Sequence, residues 1–241
     1  MKRFQVRLAR RREQRAFTRA ELAALLAVLT LLAAVALPGL AGTRPRAQRL
    51  TCVSHLREIG QSFISWSSEY DNRLPSQVPA NDGGILTHSS GLQNAAWFHF
   101  AAISNHVRSP RIFVCPSDTA KREASSFDLL PNGGFVHPNY QNNALSYIVS
   151  HPLLEARPDV LSGDRHLASS FAGGGCLYWL PTRILQRLPG STAFWTDALH
   201  ASTGNVVLSD GRVEQLSAIG LRRRLADGAS ENSTDFHFLA P

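Results

Sequence analysis

The 241 residues are 44% hydrophobic and 18% charged, with 17 glycines and 13 prolines. This excludes a collagen-like, low-complexity or chiefly disordered chain and leaves room for one large or two small domains. The net charge of +7 is confined to the start: Lys2, Arg3, Arg7, Arg10, Arg11, Arg12 and Arg15 against Glu13 give the first sixteen residues +6, and the eighteen basic and seventeen acidic side chains that follow nearly cancel. A balanced body offers no broad electrostatic footprint for a phosphate backbone, so no nucleic-acid partner is expected.

Leu22 to Leu40 is a run of nineteen uncharged residues in which only Thr30 carries a hydrogen-bonding side chain. At ~1.5 Å per residue it covers roughly 28 Å, close to the ~30 Å hydrocarbon core of a bilayer. With the basic residues on its N-terminal side, the run is expected to be a single transmembrane helix over 17–42. The expected location is the inner (cytoplasmic) membrane, with the N-terminus cytoplasmic and the C-terminal domain extracytoplasmic. A cleavable signal peptide shares the basic start but usually has a shorter apolar region.

Ahead of that run stands Ala16-Phe17-Thr18-Arg19-Ala20-Glu21, with a carboxylate directly before the apolar residues. Small residue, Phe, Thr, two residues, Glu and then about twenty apolar residues resembles the prepilin-type segment of type IV pilins and type II secretion pseudopilins. The resemblance implies that a prepilin peptidase removes the basic leader 1–16 between Ala16 and Phe17 and methylates the new amino terminus. It also implies that Glu21 pairs with the amino terminus of a neighbouring subunit during assembly. Opposite charges in a low-dielectric bundle attract strongly and either one alone is costly, so such a pair can set register. Pro38 falls where helices of this family commonly bend, whereas Ala16 replaces the usual Gly and Arg19 the usual apolar residue.

Cys52, Leu56, Ile59, Phe63, Trp66 and Tyr70 follow at spacings of 4, 3, 4, 3 and 4, one apolar stripe of a helix that continues the span outside the membrane over 43–74. The stretch 76–110 reads as loop and short helix. Ile112-Phe113-Val114-Cys115 reads as a short buried strand, and 119–143 as a polar, mobile insertion. Strands are expected at 144–149, 177–180 and 191–196. Asp210-Gly211 between 205–209 and 212–216 predicts a two-residue hairpin that sets Val206 and Leu208 opposite Gln215 and Val213. A short helix follows at 218–226, with Gly228 as its cap and Arg222-Arg223-Arg224 as a solvated end or partner patch. The expected class is α+β: a long N-terminal transmembrane helix packed against a C-terminal antiparallel sheet, pilin-like, with 75–241 as the globular domain.

His200, nine residues, then Asp210-Gly211 resembles the H-x9-DG signature of bacterial proteins that carry prepilin-type starts. FVCPSD (113–118), LSGDRHL (161–167) and the stretch from Cys52 to Leu74 resemble the same family. No HExxH, CxxC, GxSxG or phosphate loop is present, so neither a catalytic nor a metal residue is assigned. His200 and Asp210 are expected to approach across the loop and fix it, and Asp164-Arg165 to form a local ion pair and turn. No cofactor is expected. Asp197, Asp210 and Asp227 are loose candidates for a loop calcium ion, which some pseudopilins bind.

The three cysteines leave one over whichever two pair. Cys52 with Cys115 would join helix to sheet, although all three pairings are open to the sequence and free buried thiols are the plain alternative. The function expected from these readings is a non-enzymatic pseudopilin-like subunit. Its partners would be the prepilin peptidase, other pseudopilin subunits, secretion or pilus machinery and the membrane. A membrane-tethered extracytoplasmic binding domain that never polymerises is the runner-up, followed by a secreted hydrolase that would depend on His200 or Asp210.

Overall fold

The computed structural model describes residues 18–41, 43–86, 92, 95–151, 159–169, 182–186, 193–227 and 235–241. The Ala16–Phe17 junction, Cys176, the strand expected at 177–180 and the Gly228 cap lie outside them. The chain divides between Arg44 and Pro45 into two compact units.

The first unit contains helix α1 (Arg19–Ala41). Thr18 caps it: its hydroxyl accepts the N–H of Glu21 at 3.2 Å, while Glu21 Oε2 accepts the N–H of Thr18 at 2.8 Å and its hydroxyl at 2.9 Å. This reciprocal capping box satisfies donors that the first turn leaves without intrahelical partners. Leu22, Leu25, Leu26, Val28, Leu29, Leu31 and Leu32 are all at least half exposed, so the apolar surface surrounds the helix.

Among the described residues no helix is long and apolar enough to cross a membrane. The uncharged part of α1 whose side chains are described, Leu22 to Ala34, covers about 20 Å against the ~30 Å of a bilayer core. The transmembrane element of the expected fold class, and the single-pass inner-membrane location built on it, are therefore withdrawn. The α+β class with an antiparallel sheet describes the chain.

The second unit begins within helix α2 (Thr43–Ser68). Cys52, Leu56, Ile59, Phe63 and Trp66 are its buried face, and burying side chains of this size stabilises by roughly 2 kcal/mol each. The helix stops where Asp71 and Asn72 adopt φ of 54° and 60° and the Asn72 N–H returns to the Ser67 carbonyl at 2.8 Å. Asp and Asn tolerate this left-handed region better than other side-chain-bearing residues. Helix α3 (Ala96–Ala102) follows. The run expected as a strand at 112–115 is instead a 3-10 turn, Pro110–Phe113, capped by the Ser109 hydroxyl. Proline at its first position presets the turn's φ, overriding the β preference of Ile, Phe and Val. The insertion at 119–143 is anchored by Phe135, which is fully buried against Phe113.

Among the described residues eight strands follow: β1 (Tyr147–Ser150), β2 (Val160–Asp164), β3 (Leu167–Ser169), β4 (Thr182–Gln186), β5 (Ala193–Trp195), β6 (Thr203–Leu208), β7 (Val213–Ser217) and β8 (Asp235–Leu239). Six form an antiparallel sheet in the order β4-β8-β1-β2-β6-β7, and β3 pairs with β5. Alternate residues of the central strands serve two cores, as the period of two requires. Tyr147, Val149, Leu161 and Val207 join the α2 side, whereas Ile148, Val160, Val206 and Leu208 join helix α4 (Ala218–Asp227) and Trp195. A Cβ on Gly60 would stand 2.4 Å from a Val207 methyl, so only glycine lets α2 lie this close to β6.

The hairpin β6–β7 differs from the sequence expectation by one residue. Val206 faces Glu214 and Val207 faces Val213. Only Gly211 has positive φ, at 85°, and the Leu208 N–H bonds to the Arg212 carbonyl, so the loop holds three residues, Ser209 to Gly211. In α4, Arg222 donates to the Ala193 carbonyl and Arg224 pairs with Glu214, which engages two of the three arginines inside the fold.

Candidate functional site

The three segments that resemble the H-x9-DG family converge on the α2 side of the sheet. Cys115 and Asp118 come from the turn after Pro110–Phe113, Asp164 to His166 from the end of β2, and His200 from the loop before β6. Cys52 and Arg49 of α2 meet them. Cys52 is joined to Cys115 by a disulfide with Cα atoms 5.1 Å apart, closing a sequence separation of 63 residues.

His200 stands against this bond. Its Nε2 lies 3.5 Å from Cys115 Sγ and 3.7 Å from Asp164 Oδ2, and the ring is only 3% exposed. The His200 carbonyl is a three-donor hub that accepts from Arg49 Nη2 at 2.8 Å and from the Thr203 hydroxyl and N–H at 2.8 and 3.4 Å. Ala201 and Ser202 follow at φ of 50° and 59°, a left-handed corner that turns the chain into β6. Such conformations in residues other than glycine persist only where surrounding contacts fix them.

Asp164 is fully buried. Its Oδ2 accepts both the backbone N–H and the amide of Asn205, at 2.7 and 2.9 Å, while Oδ1 has no hydrogen-bond partner among the described residues. Burial pushes this carboxyl up to about 7 against the opposing pull of the Asn205 donors and the Arg49 charge. Burial likewise pulls His200 down to about 4, helped by the positive charge of Arg49 and by His166. At mildly acidic pH the two are therefore a neutral acid beside a neutral imidazole, not an ion pair.

Asp118 is the charged member of the cluster. Arg165 donates from Nε and Nη2 to its two oxygens at 2.6 and 2.8 Å, and the Ser146 hydroxyl adds a bond of 2.8 Å. Burial alone would raise this carboxyl, but those hydrogen bonds and the guanidinium charge hold it below the ordinary range. Nearby, His166 stacks at a tilt on Trp195 and bonds through Nε2 to the Thr203 carbonyl.

Two sequence expectations about these residues change. Asp210 does not meet His200: its carboxylate accepts the N–H and Nε of Arg212 at the hairpin tip, where it is half exposed. Arg165 pairs with Asp118, 47 residues away, rather than with its neighbour Asp164. Successive residues at the end of a strand point to opposite sides, so Asp164 and Arg165 cannot converge on one partner. Asp197 is held by the Ser202 hydroxyl. Asn205, Asp118 and Arg49 are members of the cluster that motif spacing alone does not reveal. The available signal is the acid at the end of the buried strand Val160–Asp164, since a buried carboxylate demands partners.

Chemically, the cluster ties α2, the Cys115 turn, β2 and the His200 loop together. His200 Nε2 is directed at sulfur and carboxylate inside the fold, so the imidazole is enclosed and not presented to an external substrate. No protein-family model matches this chain, and no curated protein or solved structure matches it either.

Proposed function

We propose that this chain is a non-enzymatic, pilin-like assembly subunit, processed by a prepilin-type peptidase before Phe17 and packing through α1 against further copies of itself or related subunits in a secretion- or pilus-type complex. The observation that carries the reading is the exposure of α1. A helix that is apolar all round is stable only where something covers it, and in this chain Leu22 to Leu32 present at least half of each leucine to the outside. Copies of the same helix supply apolar cover of matching length. Helices with regularly spaced leucines pack by ridges into grooves at 8–10 Å.

Glu21 gives the bundle a register. Both contacts of its capping box fall on Oε2, and the same exposed carboxylate can answer an amino group on a neighbouring chain through its other oxygen. The disulfide-braced second unit is the part such an assembly presents to partners.

Intact mass with N-terminal peptide mapping of the protein from its own host tests the reading. The expected mature chain begins at Phe17 and carries one added methyl group. A chain that still begins at Met1, or one cut beyond Ala41 so that α1 is lost, contradicts it.

A further inference from the structure

Cys52 Sγ, Cys115 Sγ and His200 Nε2 lie within 4.8 Å of one another, and all three residues are buried. Asp164 Oδ2 lies 3.7 Å from the same imidazole nitrogen. We propose that, with the disulfide reduced, Cys52, Cys115 and His200 bind one zinc-class divalent cation whose shell Asp164, beside the imidazole, moves in to complete, so that the bond and the metal are alternative states of one site. This inference is independent of the assembly reading.

The distances carry it. A tetrahedral zinc ion with sulfur at ~2.3 Å and nitrogen or oxygen at ~2.0–2.2 Å sets its nitrogen and sulfur ligands about 3.6 Å apart and its nitrogen and oxygen ligands about 3.4 Å apart. The observed separations are 3.5 Å from Nε2 to Cys115 Sγ and 3.7 Å from Nε2 to Asp164 Oδ2. The two sulfurs, now covalently joined, must part to about 3.8 Å, and the Asp164 carboxylate must move towards them to close the shell. Two thiolates, one imidazole and one carboxylate are a ligand set suited to zinc and to tetrahedral cobalt.

The surroundings point the same way. Asn205 fixes Asp164 through two hydrogen bonds, the outer-shell support that metal-binding carboxylates usually have. Asp164 Oδ1, on a fully buried side chain, is without a partner among the described residues. Two thiolates and a carboxylate leave one excess negative charge on a divalent ion, and the Arg49 guanidinium, bonded to the His200 carbonyl, is positioned to offset it.

The exchange balances. A dithiol reductant gives two electrons and two protons to the chain and becomes a disulfide, leaving Cys52 and Cys115 as thiols. The cation then takes both sulfurs as thiolates and Asp164 as carboxylate, and the two thiol protons, with the Asp164 proton where that carboxyl is protonated, pass to water. In reverse, an oxidant removes two electrons from the thiolates, the sulfur–sulfur bond forms, and the cation leaves with two of its ligands gone.

The test titrates cobalt(II) into the full chain carrying Cys176→Ser, which leaves Cys52 and Cys115 as its only thiols. A phosphine reductant is used because it adds no competing thiol, and circular dichroism follows the fold. The expected result is one equivalent of tetrahedral cobalt with a sulfur charge-transfer band in the reduced chain and none in the oxidised chain. The band should be lost on Cys115→Ser, and affinity should fall about 10–100-fold on Asn205→Ala, as for loss of an outer-shell partner. If reduction unfolds the chain, zinc should restore the fold and melting temperature. A reduced chain that is folded and binds no cobalt overturns the proposal. So does an unfolded one that zinc does not rescue, or a cobalt spectrum unchanged by Cys115→Ser.

Discussion

The two units of this chain are specified in opposite ways. Helix α1 is settled within a few residues: a capping box between Thr18 and Glu21 starts it, strong helix formers continue it, and its apolar side chains remain uncovered. The second unit is settled by long-range ties, among them Cys52 to Cys115, Asp118 to Arg165 and Asp164 to Asn205, with sequence separations of 63, 47 and 41. A locally encoded helix with a bare apolar surface suits the proposed packing against another molecule. A body closed by distant cross-links holds its shape by itself.

The sharpest way to break the contrast is to remove the disulfide. A bond closing a loop of this length limits the unfolded chain by about 4 kcal/mol in the chain-entropy account. Cys52→Ala with Cys115→Ala should therefore lower the unfolding free energy of the second unit, measured in urea melts, by that amount without added metal, and leave the helicity of α1 unchanged. Next in size is Asp118→Ala, which strands Arg165 and Ser146. Breaking a buried ion pair from one side costs about 3 kcal/mol, again visible in urea melts, and loss of less than 1 kcal/mol would show that the pair is not a brace.

The third test uses pH, in the disulfide form. Asp164 has its folded pKa at about 7, above the ordinary 3.8, so between these values the folded state holds a proton that the unfolded chain has released. Stability contributed through this group is complete below pH ~4 and falls by about 1.4 kcal/mol per unit as pH rises towards 7. His200, lowered from 6.5 to about 4, acts with the opposite sign over much of the same window. Asp164→Asn should therefore make the slope of stability against pH more positive by about 1.4 kcal/mol per unit between pH 4 and 7. His200→Gln should make it more negative. Arg49, Asp118, His166 and Tyr147, which face the pair, are unchanged in both variants, and an identical slope in all three proteins would contradict the assignment.

Smallest is the cap. Thr18→Ala should cost about 1 kcal/mol at the start of α1, raising amide exchange of Glu21 and Leu22 roughly fivefold while the second unit is unaffected. Equal protection in both proteins would show that the capping box contributes nothing.

How much of this was legible in the sequence follows the same division. Local signals read well: the buried stripe of α2 repeats at helical spacing, and Asp210-Gly211 marks a hairpin. The one-residue difference in that hairpin arises because Gly211 alone takes positive φ, giving a three-residue loop where the dipeptide suggests two. Thr18-x-x-Glu21 carries the capping-box pattern in the same residues that resemble a processing signal. The span length of Leu22 to Leu40 suggested a membrane helix, which the described part of α1 does not provide. The buried cluster was out of reach because its partners lie 28 to 151 residues apart. Proximity in sequence pointed instead to His200 with Asp210 and to Asp164 with Arg165, both of which the β-strand geometry separates.

The central claim, that α1 is the surface through which copies of this chain meet, is tested most directly by a photo-crosslinking residue at Leu29, introduced in the native host. The account predicts a crosslink between two copies of the chain that disappears with Glu21→Gln, a change that keeps the capping box but removes the charge. A crosslink at Leu29 that is unaffected by Glu21→Gln, or no crosslink to another copy at all, would contradict it.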